Sequence, residues 1–141
     1  YCDPYIDHET AFVLLDDEDK PRGYILCAED YEKFAVNIDP YLQKIRKECP
    51  NFANRADISM YKKEAEEYPA HLHIDVEESY TGNGHGTALM QTLIAYLKER
   101  HVEGLILGVD KNNLRAVSFY KKMGFKVLDE TEGGAEMGMK L

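Results

Sequence analysis

A glycine-rich segment in the second half of the chain has the composition of a phosphate-binding loop. It follows a short strand pattern and precedes a helical pattern. The first amides of a helix lack intrahelical partners and carry partial positive charge, so an anion placed there gains several hydrogen bonds. Glycines let the backbone approach the anion closely. The predicted loop residues are Thr81, Gly82, Asn83, Gly84, His85, Gly86 and Thr87, and for His85 we expect the backbone amide to matter more than the ring.

A glycine loop alone does not identify the ligand, because dinucleotide-binding folds use the same device. Asp110 follows the next predicted strand, where such a fold would place a ribose-binding acid. However, Thr87 stands where the third glycine of the GxGxxG pattern counted from Gly82 should be. Only about thirty residues follow Asp110, too few for the remaining strand and helix units of that fold. These observations disfavour a dinucleotide site; a glycine turn that binds nothing is a further alternative.

The strand before the loop carries candidate acid–base groups. Residues 70–76 alternate, so that Leu72, Ile74 and Val76 share one face and His71, His73 and Asp75 share the other. An imidazole with an ordinary pKa near 6.5 accepts a proton readily at neutral pH. We predict that His73 or Asp75, or a water that they hold, is a general base. A hydrogen-bonded structural role is an equally weighted alternative.

Strand patterns predict the sheet that would position these groups. Two apolar runs, 10–15 and 23–28, are separated by a charged turn and predict a hairpin. Alternation predicts a strand at 70–76, and a compact apolar run predicts another at 105–109. Two short strands, 126–128 and 136–141, are expected to be joined by a turn at Gly133 and Gly134.

Four helices are expected between the strands. Asp39 followed by Pro40 predicts an N-cap and a first helical residue, for a short helix that ends before Pro50. A very polar second helix is predicted over 59–67, and an amphipathic one over 87–100. Asn113 is the predicted N-cap of the last helix, which Gly124 would end in a left-handed conformation. The sequence thus predicts a mixed α/β fold.

Two motifs together resemble those of the GNAT acetyltransferases. That family has a loop of the form (Gln or Arg)-x-x-Gly-x-(Gly or Ala) after a strand, and Gly84, His85 and Gly86 match its second half. It also has an Asn-x-x-Ala-x-x-(aromatic or Leu)-Tyr-x-x-x-Gly-Phe run, which is matched by Asn113, Ala116, Phe119, Tyr120, Gly124 and Phe125. The resemblance covers residues 70–141 strongly, and residues 10–28 by pattern only.

The resemblance implies an acyl-CoA N-acyltransferase fold and transfer of acetyl from acetyl-CoA to a primary amine, on a small molecule or a lysine side chain. The loop would bind the CoA pyrophosphate. Backbone groups at Val76, where the family's strand splays from its neighbour, would bond the pantetheine arm and polarise the thioester carbonyl. Tyr120 would be the general acid for the departing thiolate. Asn113, Phe119 and Lys122 are further expected cofactor contacts, although Asn113 and Lys122 are equally well read as an N-cap and a solvated charge.

The chain departs from the family pattern at two places. Thr81 replaces the usual Gln or Arg, which removes a side chain that steadies the loop. The usual first strand and helical hairpin have no clear place before Thr10, which implies a trimmed or shortened domain. Residues 68–75 also resemble the acetyltransferase-like domain attached to some O-GlcNAc hydrolases and its free-standing bacterial relatives. A catalytically silent GNAT-like binding module is therefore the alternative function.

The length, charge and cysteine content of the chain limit the possible domain number, partners and compartment. A length of 141 residues fits one domain, 1–141, and no apolar run is long enough for a membrane helix. The net charge of −9 disfavours nucleic-acid binding and mildly favours a cationic acceptor, although acidity that serves only solubility is the stronger alternative. The three cysteines form no CxxC pair, which argues against a metal site or disulfides and for a cytoplasmic protein. We expect a monomer or a homodimer.

Overall fold

The computed structural model describes residues 8–55 and 57–141, in which six strands form one mixed sheet with the order β1-β2-β3-β4-β6-β5. All neighbouring strands are antiparallel except β3 and β4, which are parallel. The strand arrangement agrees with the predicted mixed α/β class. The strands are β1 (Ala11–Leu15), β2 (Pro21–Ala28), β3 (Ala70–Val76), β4 (Gly104–Asp110), β5 (Lys126–Glu130) and β6 (Gly134–Lys140).

Three α-helices connect the strands of the described residues: α1 (Tyr31–Glu48), α2 (His85–Glu99) and α3 (Leu114–Met123). Short 3-10 turns lie at His8–Thr10, Pro50–Arg55, Ser59–Glu64 and Glu78–Tyr80. Among these helices, none combines the length and the hydropathy needed to cross a membrane.

The apolar stripe of α2 forms the main core against one face of the sheet, as its periodicity predicts. Leu93 and Leu97 are fully buried, and they belong to one cluster with side chains from β3, β4 and β6. The cluster includes Leu72, Leu105, Leu107 and Met137. These side chains hold α2, and therefore the loop before it, in a fixed position on the sheet.

The first helix differs from its prediction in both position and length. It begins after Asp30, whose side chain accepts a hydrogen bond from the Lys33 amide at 3.1 Å, so Asp30 and not Asp39 is the N-cap. Pro40 lies inside the helix on its exposed side. Packing explains the difference, because buried Phe34 anchors the turns before Pro40, and this contact outweighs the lost backbone hydrogen bond.

The other predicted elements are close to the observed ones, with one change of helix type and small shifts of the ends. The polar segment predicted as a helix over 59–67 forms only the 3-10 turn Ser59–Glu64. The final helix has its predicted ends: the Asn113 side chain accepts from the Ala116 amide at 3.1 Å, and Gly124 has a left-handed φ of 102°. The last strand begins at Gly134, so the turn before it ends one residue earlier than predicted.

Candidate active site

A cleft opens where the two parallel strands in the middle of the sheet diverge. Only Ala70↔Leu105 and His71↔Ile106 are paired between β3 and β4. Beyond these pairs the strands separate around a cavity of about 750 Å³. The remaining parts of both strands, the glycine loop and one side of α3 line this cavity. The sequence predicted a polar strand next to the loop, and the resemblance implied the separation of the strands.

The cleft-facing edge of β3 carries backbone groups that are not used in pairing with β2. The Glu77 amide donates to the Arg22 carbonyl at 2.8 Å, next to the pair Gly23↔Val76. In an antiparallel pair, hydrogen-bonded and non-hydrogen-bonded positions alternate. The amides of Val76 and Ile74 therefore point away from β2, toward the opening. This is the orientation that the resemblance implies for Val76.

The glycine loop joins the 3-10 turn Glu78–Tyr80 to α2 with two left-handed residues. Gly82 has φ 82° and Gly84 has φ 86°, a region that residues with a Cβ rarely adopt. Gly84 is the N-cap residue of α2 and provides no side-chain cap, so the first amides of the helix remain available to a ligand. The Phe119 ring lies 3.6 Å from where a Cβ on Gly86 would stand, so α3 packs against the loop.

Most of the predicted cofactor-binding residues lie around the cleft. Thr81 is one of them, and its hydroxyl donates to the Glu78 carbonyl at 2.7 Å, within its own turn. Asn83 and His85 do not line the cleft, and the His85 ring lies 5.8 Å from the Tyr80 ring. The predicted residues that line it are Val76, Thr81, Gly82, Gly84, Gly86, Thr87, Asn113, Phe119 and Lys122.

Tyr120 lies on α3 and lines the cleft from the side of the main core. Its side chain is 9% exposed and packs edge-on against Phe119 and Phe125, with centroid distances of 5.4 Å and 5.8 Å. Burial raises the pKa of Tyr120, and the neighbouring Tyr61 and Asp75 raise it further. The phenol therefore keeps its proton well above neutral pH, as a general acid must.

The polar face of β3 divides into a buried part and a part open to the cleft. His71 is fully buried and stacks on the Tyr61 ring with a centroid distance of 5.1 Å, so this imidazole is closed off from a substrate. His73 and Asp75 are exposed and line the cleft. The Tyr24 ring lies 5.9 Å from the His73 ring. The structure thus brings the two predicted bases to the same opening as Tyr120.

The sequence profile of the acetyltransferase (GNAT) family matches residues 1–125. The chain belongs to the GNAT acetyltransferase family. An uncharacterised N-acetyltransferase of Methanocaldococcus jannaschii is 36% identical to this GNAT chain over 130 residues, which are 92% of the chain and 45% of that relative. The matched part of the chain thus covers less than half the length of this relative.

Solved structures share the fold of this GNAT chain. The crystal structure of SsHAT superposes with a TM-score of 0.84 at 29% identity, covering 94% of the chain and 72% of that protein. PaiA N-acetyltransferase from Thermoplasma acidophilum, solved in complex with coenzyme A, has a TM-score of 0.57 at 18% identity and covers 89% of the chain and 57% of that protein. The fold of the described residues is therefore that of GNAT acetyltransferases.

Two residues at this GNAT site were not predicted from the sequence. Arg115 lines the cleft, and its Nη2 lies 4.0 Å from where a Cβ on Gly82 would stand. The Tyr61 hydroxyl accepts a hydrogen bond from the Gly108 amide at 3.0 Å. Gly108 lies in the part of β4 that is not paired with β3. The position of Arg115 directly after the N-terminus of α3 is a sequence signal for an anion contact. No comparable signal marks Tyr61, which comes from a polar segment remote in sequence.

The described part of the chain contains no group of three or more His, Cys, Asp or Glu side chains that could hold a metal ion.

Proposed function

We propose that the chain transfers an acetyl group from acetyl-CoA to a primary amine, in a direct ternary complex. The observation that carries this proposal is the shared cleft. Loop glycines, the cleft-facing edge of β3 and Tyr120 all border one cavity. That combination provides both an anion-binding loop and a buried acid, which a binding module without catalysis would not need.

The residues around the loop fit the diphosphate of a CoA ester. Left-handed Gly82 and Gly84 expose backbone amides, and α2 begins directly behind them. Arg115 and Lys122 add positive charge on the α3 side of the cavity. In the proposed complex the backbone amides of segment 81–87 hold the pyrophosphate, and the side chains of Asn83 and His85 stay outside the cleft. The Phe119 ring packs against the loop at Gly86. Asn113 contributes mainly as the cap of α3, since its side-chain oxygen is bonded to the Ala116 amide.

Acetyl-CoA, when bound, supplies the acetyl group as an activated thioester. The chain contributes polarisation and proton transfer. The Val76 amide points into the opening and would stabilise negative charge on the carbonyl oxygen, an effect typically worth about 3 kcal/mol. Tyr120 would give its phenolic proton to the leaving sulfur, and its raised pKa keeps that proton available.

The acceptor amine must lose a proton before it attacks, and Asp75 or His73 would receive it, directly or through water. Asp75 lies close enough to Tyr120 to raise the pKa of that phenol. A carboxylate at this position would also attract a cationic amine. Both residues are open to solvent, so a proton can leave the site after each turnover.

The first experiment tests the donor. A ligand that binds the native state raises its apparent stability, by roughly 2.7 kcal/mol at a concentration of 100 times Kd. We expect acetyl-CoA and CoA to raise the melting temperature of this protein in a concentration-dependent way. No increase at millimolar ligand would contradict the enzyme proposal and leave a GNAT-like module that does not use CoA.

The second experiment tests the residues that move protons. Tyr120→Phe removes the acid while keeping the ring packing, so we expect kcat to fall by about 10²–10⁴-fold with little change in the melting temperature. Asp75→Asn and His73→Gln are compared in the same assay, and the variant with the larger loss of kcat identifies the base. Tyr96→Phe, on α2 beside Phe12, is the matched control. Unchanged turnover in Tyr120→Phe would show that Tyr120 is not the general acid.

A further inference from the structure

Arg22 connects the first hairpin to the segment that enters the glycine loop. Its Nε donates to Asp16 at 2.8 Å and its Nη1 donates to Glu77 at 2.9 Å. Asp16 lies in the turn between β1 and β2, whereas Glu77 directly follows β3. The Arg22 carbonyl also accepts the Glu77 amide at 2.8 Å. Arg22 thus bonds to Glu77, the residue directly after β3, through both its backbone and its side chain.

Ring contacts continue this connection to the start of α2. The Arg22 guanidinium carbon lies 5.3 Å from the centroid of the Tyr80 ring, within the range of a cation–π interaction. The Tyr80 ring in turn lies 5.8 Å from the ring of His85, the first residue of α2. Arg22 thus contacts the segment that precedes the glycine loop, at Glu77 and Tyr80, and Tyr80 contacts the start of the helix that follows the loop.

The loop itself needs such support. Glycine has more conformational freedom to lose than any other residue, so ordering Gly82 and Gly84 is costly. The Thr81 side chain bonds to Glu78 within the same turn and does not link the loop to the sheet. An arginine fixed by two carboxylates is well suited to that task, because its planar guanidinium has several donors in a rigid arrangement. A loop ordered in advance binds its ligand without first losing this freedom.

We propose that Arg22 is a positioning residue for the acyl-CoA site, which it serves by ordering residues 78–86 through Glu77 and Tyr80. This inference rests on the proposed function, since it takes the loop to bind the CoA pyrophosphate. Arg22 makes its contacts with the protein, and its effect on the ligand is indirect. If the competent arrangement of the loop falls to a tenth of the population, the apparent Kd rises about tenfold.

Hydrogen exchange of the ligand-free protein tests the ordering directly. We expect Arg22→Gln to accelerate amide exchange in residues 78–86. The matched control is Arg100→Gln, at the opposite end of α2: Arg100 lies 2.7 Å from the Glu29 carboxylate and 5.5 Å from the centroid of the Tyr96 ring. The control removes the same kinds of contact without touching the loop. Unchanged exchange in the loop, or equal acceleration in the control, overturns the proposal.

Calorimetric titration with CoA then tests the consequence for binding. Arg22→Gln should raise Kd about tenfold, while Arg100→Gln should leave it at the wild-type value. If Arg22→Gln does not fold, Arg22→Lys keeps the charge but loses the planar guanidinium that bonds Asp16 and Glu77 at once, and it should raise Kd less than tenfold. Equal Kd values for wild type and Arg22 variants overturn the inference alone. Absence of CoA binding to wild type overturns the proposed function and the inference with it.

Discussion

Two tyrosines lie at the opening between the diverging strands, and they come from unrelated parts of the chain. Tyr120 belongs to α3, whereas Tyr61 belongs to the 3-10 turn Ser59–Glu64. Burial raises the pKa of each phenol. The Tyr61 hydroxyl accepts a hydrogen bond from the Gly108 amide, which has no strand partner in β3, and a hydrogen bond of this kind contributes about 1 kcal/mol. Tyr61 therefore stabilises the separated arrangement of the strands.

We expect Tyr61→Phe to lower the free energy of unfolding by about 1 kcal/mol, because it removes the acceptor of the Gly108 amide. Chemical denaturation measures the loss, and the exchange rate of the Gly108 amide shows its location. That amide should exchange faster, while the paired amides of β6 should not change. If Gly108 exchanged at the wild-type rate, Tyr61 would have no role in holding the strand edge.

At the scale of elements, the glycine loop and its helix depend on backbone conformation more than on side chains. Gly84 is left-handed at the N-cap position, where Ser, Thr, Asp or Asn is usually preferred. A side-chain cap would occupy the amides that an anion needs. The choice of glycine thus leaves the helix N-terminus open to the ligand.

Substitution of Gly84 tests the conformational requirement. A Cβ at Gly84 meets nothing within 4 Å, so Gly84→Ala isolates the cost of a positive φ. We expect a loss of about 1–2 kcal/mol in stability, together with weaker CoA binding. Gly133→Ala is the matched control, since a Cβ there also meets nothing within 4 Å and Gly133 has no positive φ. Equal effects of the two substitutions would contradict this reading.

The start of α1 provides a second test at this scale. Asp30→Ala removes the side chain that caps the helix and should cost about 1 kcal/mol. Asp39→Ala is the natural comparison, because Asp39 lies inside the helix and its carboxylate accepts a hydrogen bond from the Gln43 side chain at 2.6 Å. It should cost less. Thermal denaturation of both variants decides between the two N-cap assignments, and a larger loss from Asp39→Ala would favour a helix that begins at Pro40.

For the molecule as a whole, His71 lies where α1, the 3-10 turn Ser59–Glu64 and β3 meet. Its ring contacts Tyr31, Phe34 and Tyr61, with centroid distances of 6.3 Å, 5.0 Å and 5.1 Å. Burial among these rings lowers the pKa of His71 from 6.5 to about 4. The packing on this face of the sheet therefore requires a neutral imidazole.

This requirement predicts a pH dependence of stability. Between pH 6.5 and about 4, the unfolded chain binds a proton at His71 that the folded chain does not bind. The free energy of unfolding should therefore fall as the pH falls through this window, by up to roughly 3 kcal/mol in total. Urea denaturation at several pH values measures the fall.

His71→Phe is the control for this prediction. The lowered pKa values of Asp16 and Glu77 also remove stability in acid, but these carboxylates are present in both proteins. The difference between wild type and His71→Phe should thus isolate the imidazole. Parallel curves for the two proteins between pH 6.5 and 4 would show that His71 is not the source.

Local patterns in the sequence determined much of the fold. Alternation located β3, helical periodicity located α2, and the cap residues Asn113 and Gly124 located both ends of α3. These signals are local, because each arises within a few residues of backbone geometry. The glycine loop was predicted in the same way, and the downstream run with Tyr120 distinguished a GNAT chain from a dinucleotide-binding one.

Tertiary structure decided what depends on contacts between distant segments. Pro40 continues α1 because the helix packs on the sheet through Phe34, and no local rule predicts that outcome. His71 and His73 share a strand face, yet α1 buries only the first. Arg22 in β2 bonds to Glu77 ahead of the loop, and Tyr61 bonds to β4 across 47 residues of sequence. Pairing and packing set these contacts, whereas the sequence shows only which residues are present to make them.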